Sequence, residues 1–372
     1  MNKKRIINLS MILIVVLVGV VYFSNPFRES DLEEWKNDVS YSDYNTALNL
    51  LKDTIDDGRY TYYDYLETVE VDYGLPVVSA SLETDQSVER LDYTGTDVAD
   101  LSDSNVASYD VLVTETGYYN VNVDYIVTGE ILNNITLSVE INGEIQFDDM
   151  KTVDVVLYWE DAVDTYSLDK YGDETLPAQN KIEEWRELEL YNNTYTSFEP
   201  LLFYFEEGTN IISFENVSNG DLLFGDLEIA PPKFIPTYQE YASLYQDTNQ
   251  DEFNVFINAL DYKEKNSSYV RLMSFGSPSV EPYDSTYKKL NALDGNAWYK
   301  AGQEVMYEVE VEQDGFYDLT MHYANFKDDF DIFRSIKIDG EIPFREFAGY
   351  RFEDTKNGWK NGSNILKVRN VT

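Results

Sequence analysis

The sequence predicts a mainly β protein: two tandem jelly-roll β-sandwiches behind an N-terminal transmembrane helix and a short helical stalk. Three observations predict it. Strand-like blocks recur in one order in both halves of the chain, hairpin signals fall at matching places in each, and an apolar run follows a basic N-terminus.

The anchor comes first. Lys3, Lys4 and Arg5 precede an apolar run from Ile6 to Phe23, broken only by Asn8, Ser10 and Gly19. At about 1.5 Å per residue the run spans roughly 27 Å, close to the hydrocarbon thickness of a bilayer. A cleaved signal has an apolar core of about 7–15 residues and small residues at its cut site. Here bulky Tyr22 precedes Phe23 and Ser24, so residues 1–25 are expected to stay as an uncleaved signal anchor. Bases lie before the run, and Glu29, Asp31, Glu33 and Glu34 follow it. The positive-inside rule then puts the N-terminus in the cytoplasm and the rest outside the cell membrane. The chain has no cysteine, which excludes a lipidated N-terminal cysteine and any disulfide.

Residues 26–69 read as helical, with Leu48, Leu50, Leu51 and Ile55 forming an apolar stripe. They make a stalk raising the body off the membrane, or a helix packed on the first module. A short Tyr-rich helical segment introduces each half, at Thr61–Tyr65 and at Thr237–Tyr241.

The repeat sets the domain organisation. The block from Tyr109 to Tyr125, containing Gly117-Tyr118-Tyr119, aligns with Tyr307 to Tyr323, containing Gly315-Phe316-Tyr317, at an offset of 198. Ile141-Asn-Gly-Glu-Ile-Gln-Phe147 matches Ile338-Asp-Gly-Glu-Ile-Pro-Phe344, Trp159 matches Trp359, and Gly208–Ser218 matches Gly362–Thr372. Val111 and Val113, then Tyr119, Val121, Val123 and Tyr125, alternate with polar residues, the period of a strand buried on one face. Asn142-Gly143 and Asp339-Gly340 are hairpin turns, because a type I′ turn needs φ > 0 at both central residues. Short strands with turns at such intervals point to sandwiches of jelly-roll type.

The expected division is therefore 70–232 for the first sandwich, ended by Pro231-Pro232, 233–250 for a helical linker, and 251–372 for the second. Only the first half carries a segment containing Asp169–Gln179 and Trp185, and a last strand at Leu222–Ile229. The second half is expected to be C-terminally incomplete, with an open edge that a partner protein could fill.

Composition narrows the function. Sixty-nine acids against 28 bases give a net charge of −41, which repels nucleic acid and anionic lipid surfaces. With 31 Tyr, 19 Phe and 5 Trp the body is too aromatic for an unfolded chain.

These blocks resemble the N-terminal region of large extracellular solute-binding proteins of Gram-positive ABC sugar transporters. There, two carbohydrate-binding-like sandwich modules precede the substrate-binding domain. The matching residues are Gly117–Tyr119, Ile141–Phe147, Pro177, Gln179 and Trp185, then Ser277-Pro278, Pro282-Tyr283, Leu290-Asn291, Trp298, Gly302-Gln303 and Ile338–Phe344. The resemblance covers residues 60–372 and implies galactose-binding-like sandwiches, cell-surface exposure and an affinity for glycans or wall polysaccharide. The chain has no region for the substrate-binding domain, so solute transport is not implied.

Sugar rings stack on exposed aromatic faces while acids and amides bind their hydroxyls. The ligand-binding candidates are Trp185, Trp298 and Tyr299, with Gln179, Asp173 and Asn296 as polar partners. Trp159 and Trp359 recur in both halves and are expected in the core. Calcium is the one metal candidate, at Asp169–Glu174, although that cluster departs from the EF-hand pattern and reads better as a solvated acidic loop. His322 is the single histidine and there is no cysteine, so His-based catalysis and zinc binding lack their residues. A non-catalytic surface binding protein is the expectation. Its alternatives are a ligand-free spacer or adhesive protein, and a surface glycoside hydrolase.

Overall fold

The structure, a computed structural model, describes residues 60–370 apart from 84–87, 89, 91, 103–104, 164, 196, 245–254, 312–314, 326–330 and 357. The expected anchor and the stalk up to residue 59 lie outside the described residues. No described helix is long and apolar enough to cross a membrane.

The described chain is mainly β, with a few short helices. Its first half holds β1 (Val78–Ser79), β2 (Ser81–Leu82), β3 (Ala99–Asp100), β4 (Val106–Val113), β5 (Gly117–Thr128), β6 (Ile135–Ile141) and β7 (Val153–Val155). There follow β8 (Trp159–Asp161), β9 (Gln179–Lys181), β10 (Arg186–Glu189), β11 (Phe203–Phe205), β12 (Gly208–Asn216) and β13 (Asp221–Ala230). One sheet runs β1-β13-β5-β10, with β11 also on β5 and β3 on β13; the other runs β2-β4-β12-β6-β7. The alternation read from the sequence explains the layering. Val111, Val113, Tyr119, Val121 and Val123 from the two sheets meet in one core with Phe203, Phe205, Ile212, Phe214 and Phe224. Burying each such side chain contributes roughly 1.5–3 kcal/mol, so this core carries the sandwich.

The second half contains β14 (Glu264–Lys265), β15 (Leu272–Met273), β16 (Ala292–Leu293), β17 (Val305–Met306), β18 (Gly315–Tyr323), β19 (Ile332–Arg334), β20 (Tyr350–Phe352) and β21 (Lys360–Asn370). Part of the repeat is reproduced register for register. β6 pairs with β7 through Ile135↔Val155 and Leu137↔Val153, and β19 pairs with β20 through Ile332↔Phe352 and Arg334↔Tyr350. Asn142 and Gly143 have φ of 53° and 76°, Asp339 and Gly340 of 52° and 84°, the left-handed pair that the turn requires.

The Tyr-rich helices match as well. Helix α1 (Tyr62–Leu66) is capped by Thr61 with Asp64, and α2 (Tyr238–Ser243) by Thr237 with Glu240, a reciprocal box in each case. The Tyr62 amide donates to Asp149 Oδ2 and the Tyr238 amide to Glu346 Oε2, equivalent positions of the repeat. Tyr62 and Tyr65 pack on Phe147, as Tyr238 and Tyr241 pack on Phe344. The end of the segment read as a stalk is thus built into the first core.

The repeat breaks at the last strand. β12 lies between β4 and β6, but its sequence counterpart β21 pairs with β18, the counterpart of β5.

A further sheet, β17-β14-β8-β9, joins the halves: β8 and β9 belong to the first, β14 and β17 to the second. Lys265 of β14 lies opposite Trp159 of β8.

Candidate ligand-binding site

The joint between the halves holds an open cavity of about 500 Å³. The loop after β5 supplies Leu132 and Asn133, β8 supplies Trp159 and Asp161, and the segment unique to the first half supplies Leu176, Pro177 and Gln179. The second half closes it with Ser268, Tyr269, Arg271 and Leu272.

Strand geometry explains why these side chains converge. Successive residues of a strand face opposite ways, so Trp159 and Asp161 share one face of β8. Gln179 lies directly across from Asp161, and Lys265 across from Trp159 on the other side. The Gln179 amide has partners for both atoms when its nitrogen donates to the Ser268 carbonyl (3.0 Å) and its oxygen accepts from Lys265 Nζ (2.6 Å). Lys265 Nζ also donates to the Tyr262 hydroxyl at 3.0 Å. It lies 3.8 Å from Asp161 Oδ1, an atom that is buried and accepts no hydrogen bond.

Lys265 is 1 % exposed. Burial lowers its pKa to about 8, against the opposing pull of Asp161, and nearby Arg271 adds to the lowering. Beside it, Glu264 is buried and receives both ends of the Arg186 guanidinium at 2.7 and 2.6 Å, while that guanidinium covers the Tyr158 ring. The joint thus has a charged lining backed by a bidentate ion pair.

The unique segment is a staple between the halves. Glu174 accepts from Lys289 Nζ (2.8 Å) and the Leu290 amide (2.9 Å), and Asp173 accepts from the Lys288 amide (2.9 Å). Gly172, at φ 89°, lies under the Tyr287 ring, where a Cβ would come within 2.8 Å. Asp169 Oδ1 is taken by the amides of Tyr171 and Asp173. The acids read as a solvated loop or calcium cluster therefore serve backbone amides and lysines. No group of three His, Cys, Asp or Glu among the described residues is placed to hold a metal.

Of the ligand-binding candidates, the structure puts Gln179 in the cavity wall and Asp173 in the staple. Trp185 is half-buried against Tyr93, with ring centroids 4.2 Å apart, over Val98, Ile126 and Leu223. Trp298 is half-buried, donates to the Gln303 carbonyl at 2.9 Å and lies under Arg334. Tyr299 and Asn296 are exposed on the same loop. None of these four lines the cavity. Trp159 is in the core as expected, with one edge on the cavity. Trp359 is half-buried and stacks on His322 at 5.1 Å. Asn291 and Gln303, which carry the resemblance in the second half, organise loops: the Asn291 amide holds the backbone of Phe275 and Pro282.

Sequence reading passed over Asp161, Tyr262, Lys265, Ser268, Tyr269 and Arg271. No signal along the chain marks them, because Glu264 and Lys265 sit among charged and polar neighbours from Asp261 to Ser268.

No protein-family model and no curated protein matches the sequence. Solved structures similar to it include a family 35 carbohydrate binding module from Clostridium thermocellum, at 15% identity over 41% of this chain and 89% of that one, with a TM-score of 0.24. A GH26-CBM35 β-(1,4)-mannanase from Podospora anserina aligns at 12% identity over 45% of this chain and 28% of its own, with a TM-score of 0.22. CBM35 from Paenibacillus barcinonensis aligns at 12% identity over 42% and 98%, with a TM-score of 0.23. At TM-scores this low, these likenesses establish neither fold nor function for this chain.

Proposed function

We propose that the protein is a membrane-anchored, extracellular, non-catalytic glycan-binding protein, related to the front modules of sugar-transporter binding proteins, and that the cavity between its halves is the binding site. The cavity carries this reading. Sugars present apolar faces and a rim of hydroxyls, and the lining offers both kinds of partner: Tyr269, Trp159 and Pro177 for the faces, Asn133, Gln179 and Ser268 for the hydroxyls. Hydrolysis needs two carboxyl groups flanking the scissile bond. Asp161 is the one carboxylate among the described lining residues, which supports binding without turnover.

The test is a glycan array probed with the full chain, followed by titration calorimetry on the hits. Tyr269→Ala should weaken binding about tenfold, the effect of losing one stacked ring worth about 1.4 kcal/mol. A folded protein that binds no glycan would falsify the proposal. Release of a shortened sugar would favour the hydrolase.

A further inference from the structure

Arg271 stands apart from the other arginines whose side chains are described. Arg90 pairs with Asp92, Arg186 with Glu264 and Arg351 with Asp331. Arg334 covers Trp298 and donates to its carbonyl, and Arg345 donates to the Ile235 carbonyl. Arg271 is exposed at the cavity wall, and its guanidinium has no hydrogen bond or ion pair among the described residues. In a chain with 69 acids and 28 bases, an arginine without an acid beside it is informative. The charges around it do not balance either. Of the two charged residues that line the cavity, Asp161 has a cation, Lys265 Nζ at 3.8 Å, and Arg271 has no anion. One more negative charge at the wall would complete the set.

We infer that the cavity takes a glycan carrying a single acidic group, a carboxylate or a phosphate, held by Arg271. This rests on the glycan-binding reading of the same cavity. A guanidinium presents a planar fork of donors that matches either anion in two parallel hydrogen bonds. One acidic group is selected over many because the rest of the body, at −41, repels a polyanion. That repulsion is screened beyond about 8 Å at physiological ionic strength, whereas the contact at Arg271 is shorter than this.

The test titrates the full chain with three oligosaccharides of one backbone: neutral, with one terminal uronate, and with one terminal phosphate. At least one acidic form should bind roughly tenfold or more tightly than the neutral form, a preference of about 1.4 kcal/mol. The uronate and phosphate arms show which anion is meant. Arg271→Gln should erase most of that preference and Arg271→Lys should keep part of it. On the unaltered chain, the preference should shrink severalfold between about 0.05 and 0.5 M salt, which tests the inference even if the variants fold poorly. Equal binding of neutral and acidic forms, or a preference that survives Arg271→Gln, overturns the anion site and leaves glycan binding intact. Binding of none of the three overturns the anion site, and the array then decides whether the glycan reading falls with it.

Discussion

Lys265 concentrates the chemistry of the joint in one side chain. Its amine is fully enclosed, and its pKa of about 8 lies below the unfolded value of about 10.4. Between those two pH values the unfolded chain holds a proton that the folded chain has released, so this residue makes stability rise with pH. Above about pH 10 the buried tyrosines act the other way, because burial raises the Tyr262 hydroxyl and its unfolded counterpart ionises first. The unfolding free energy of the natural protein relative to Lys265→Met should therefore increase between pH 8 and 10, by about 2 kcal/mol at most. Paired urea titrations would measure it, and a flat difference would show that the amine is not desolvated. None of this was legible in the sequence. Asp161 and Lys265 are more than a hundred residues apart, and only the β8–β14 pairing brings them together. Trp159 was legible from its recurrence in both halves, but the same ground misplaced Trp359, which is half-buried rather than in a core.

At the scale of elements, what is local could be read and what is long-range could not. The Asn142-Gly143 and Asp339-Gly340 turns have the φ values that their residues announce, and Thr61 and Thr237 start helices through boxes visible as Thr-x-x-Asp and Thr-x-x-Glu. The turns also give a clean experiment. Nothing lies within 4 Å of a Cβ built at Gly143 or Gly340, so alanine there meets backbone strain alone. Each of Gly143→Ala and Gly340→Ala should cost about 1 kcal/mol, read as a lower urea midpoint at unchanged slope. A much larger loss at Gly340 would mean that its hairpin positions more than itself. β21, by contrast, escaped a reading based on the repeat. Its residues match β12, which pairs with β4 and β6, yet it pairs with β18, the counterpart of β5, so the pattern along a strand does not by itself choose its neighbour.

For the whole molecule, the acidic body and the basic N-terminal end make a claim about sides. The body is proposed to stand outside the cell, and the absence of cysteine allows a direct measurement. Thr209 is exposed on β12, so Thr209→Cys would be the sole thiol in the chain. A membrane-impermeant maleimide should label it on intact cells. Labelling seen only after lysis would reverse the orientation. The two-part repeat was readable at this scale. The joint was not, since it gathers residues from distant parts of both halves, among them a segment that one half has and the other lacks.

That segment changes where the chain can be divided. A biochemist wishing to handle each half alone would cut at the proline pair, Pro231-Pro232. The cut would leave Arg186 facing water without Glu264, strip β8 of one of its two neighbours, β14, and set the 169–179 loop free of the lysines that hold it. Each half would carry away part of the wall of the cavity and neither would carry the proposed site, as with a hinge whose two leaves are useless without the pin.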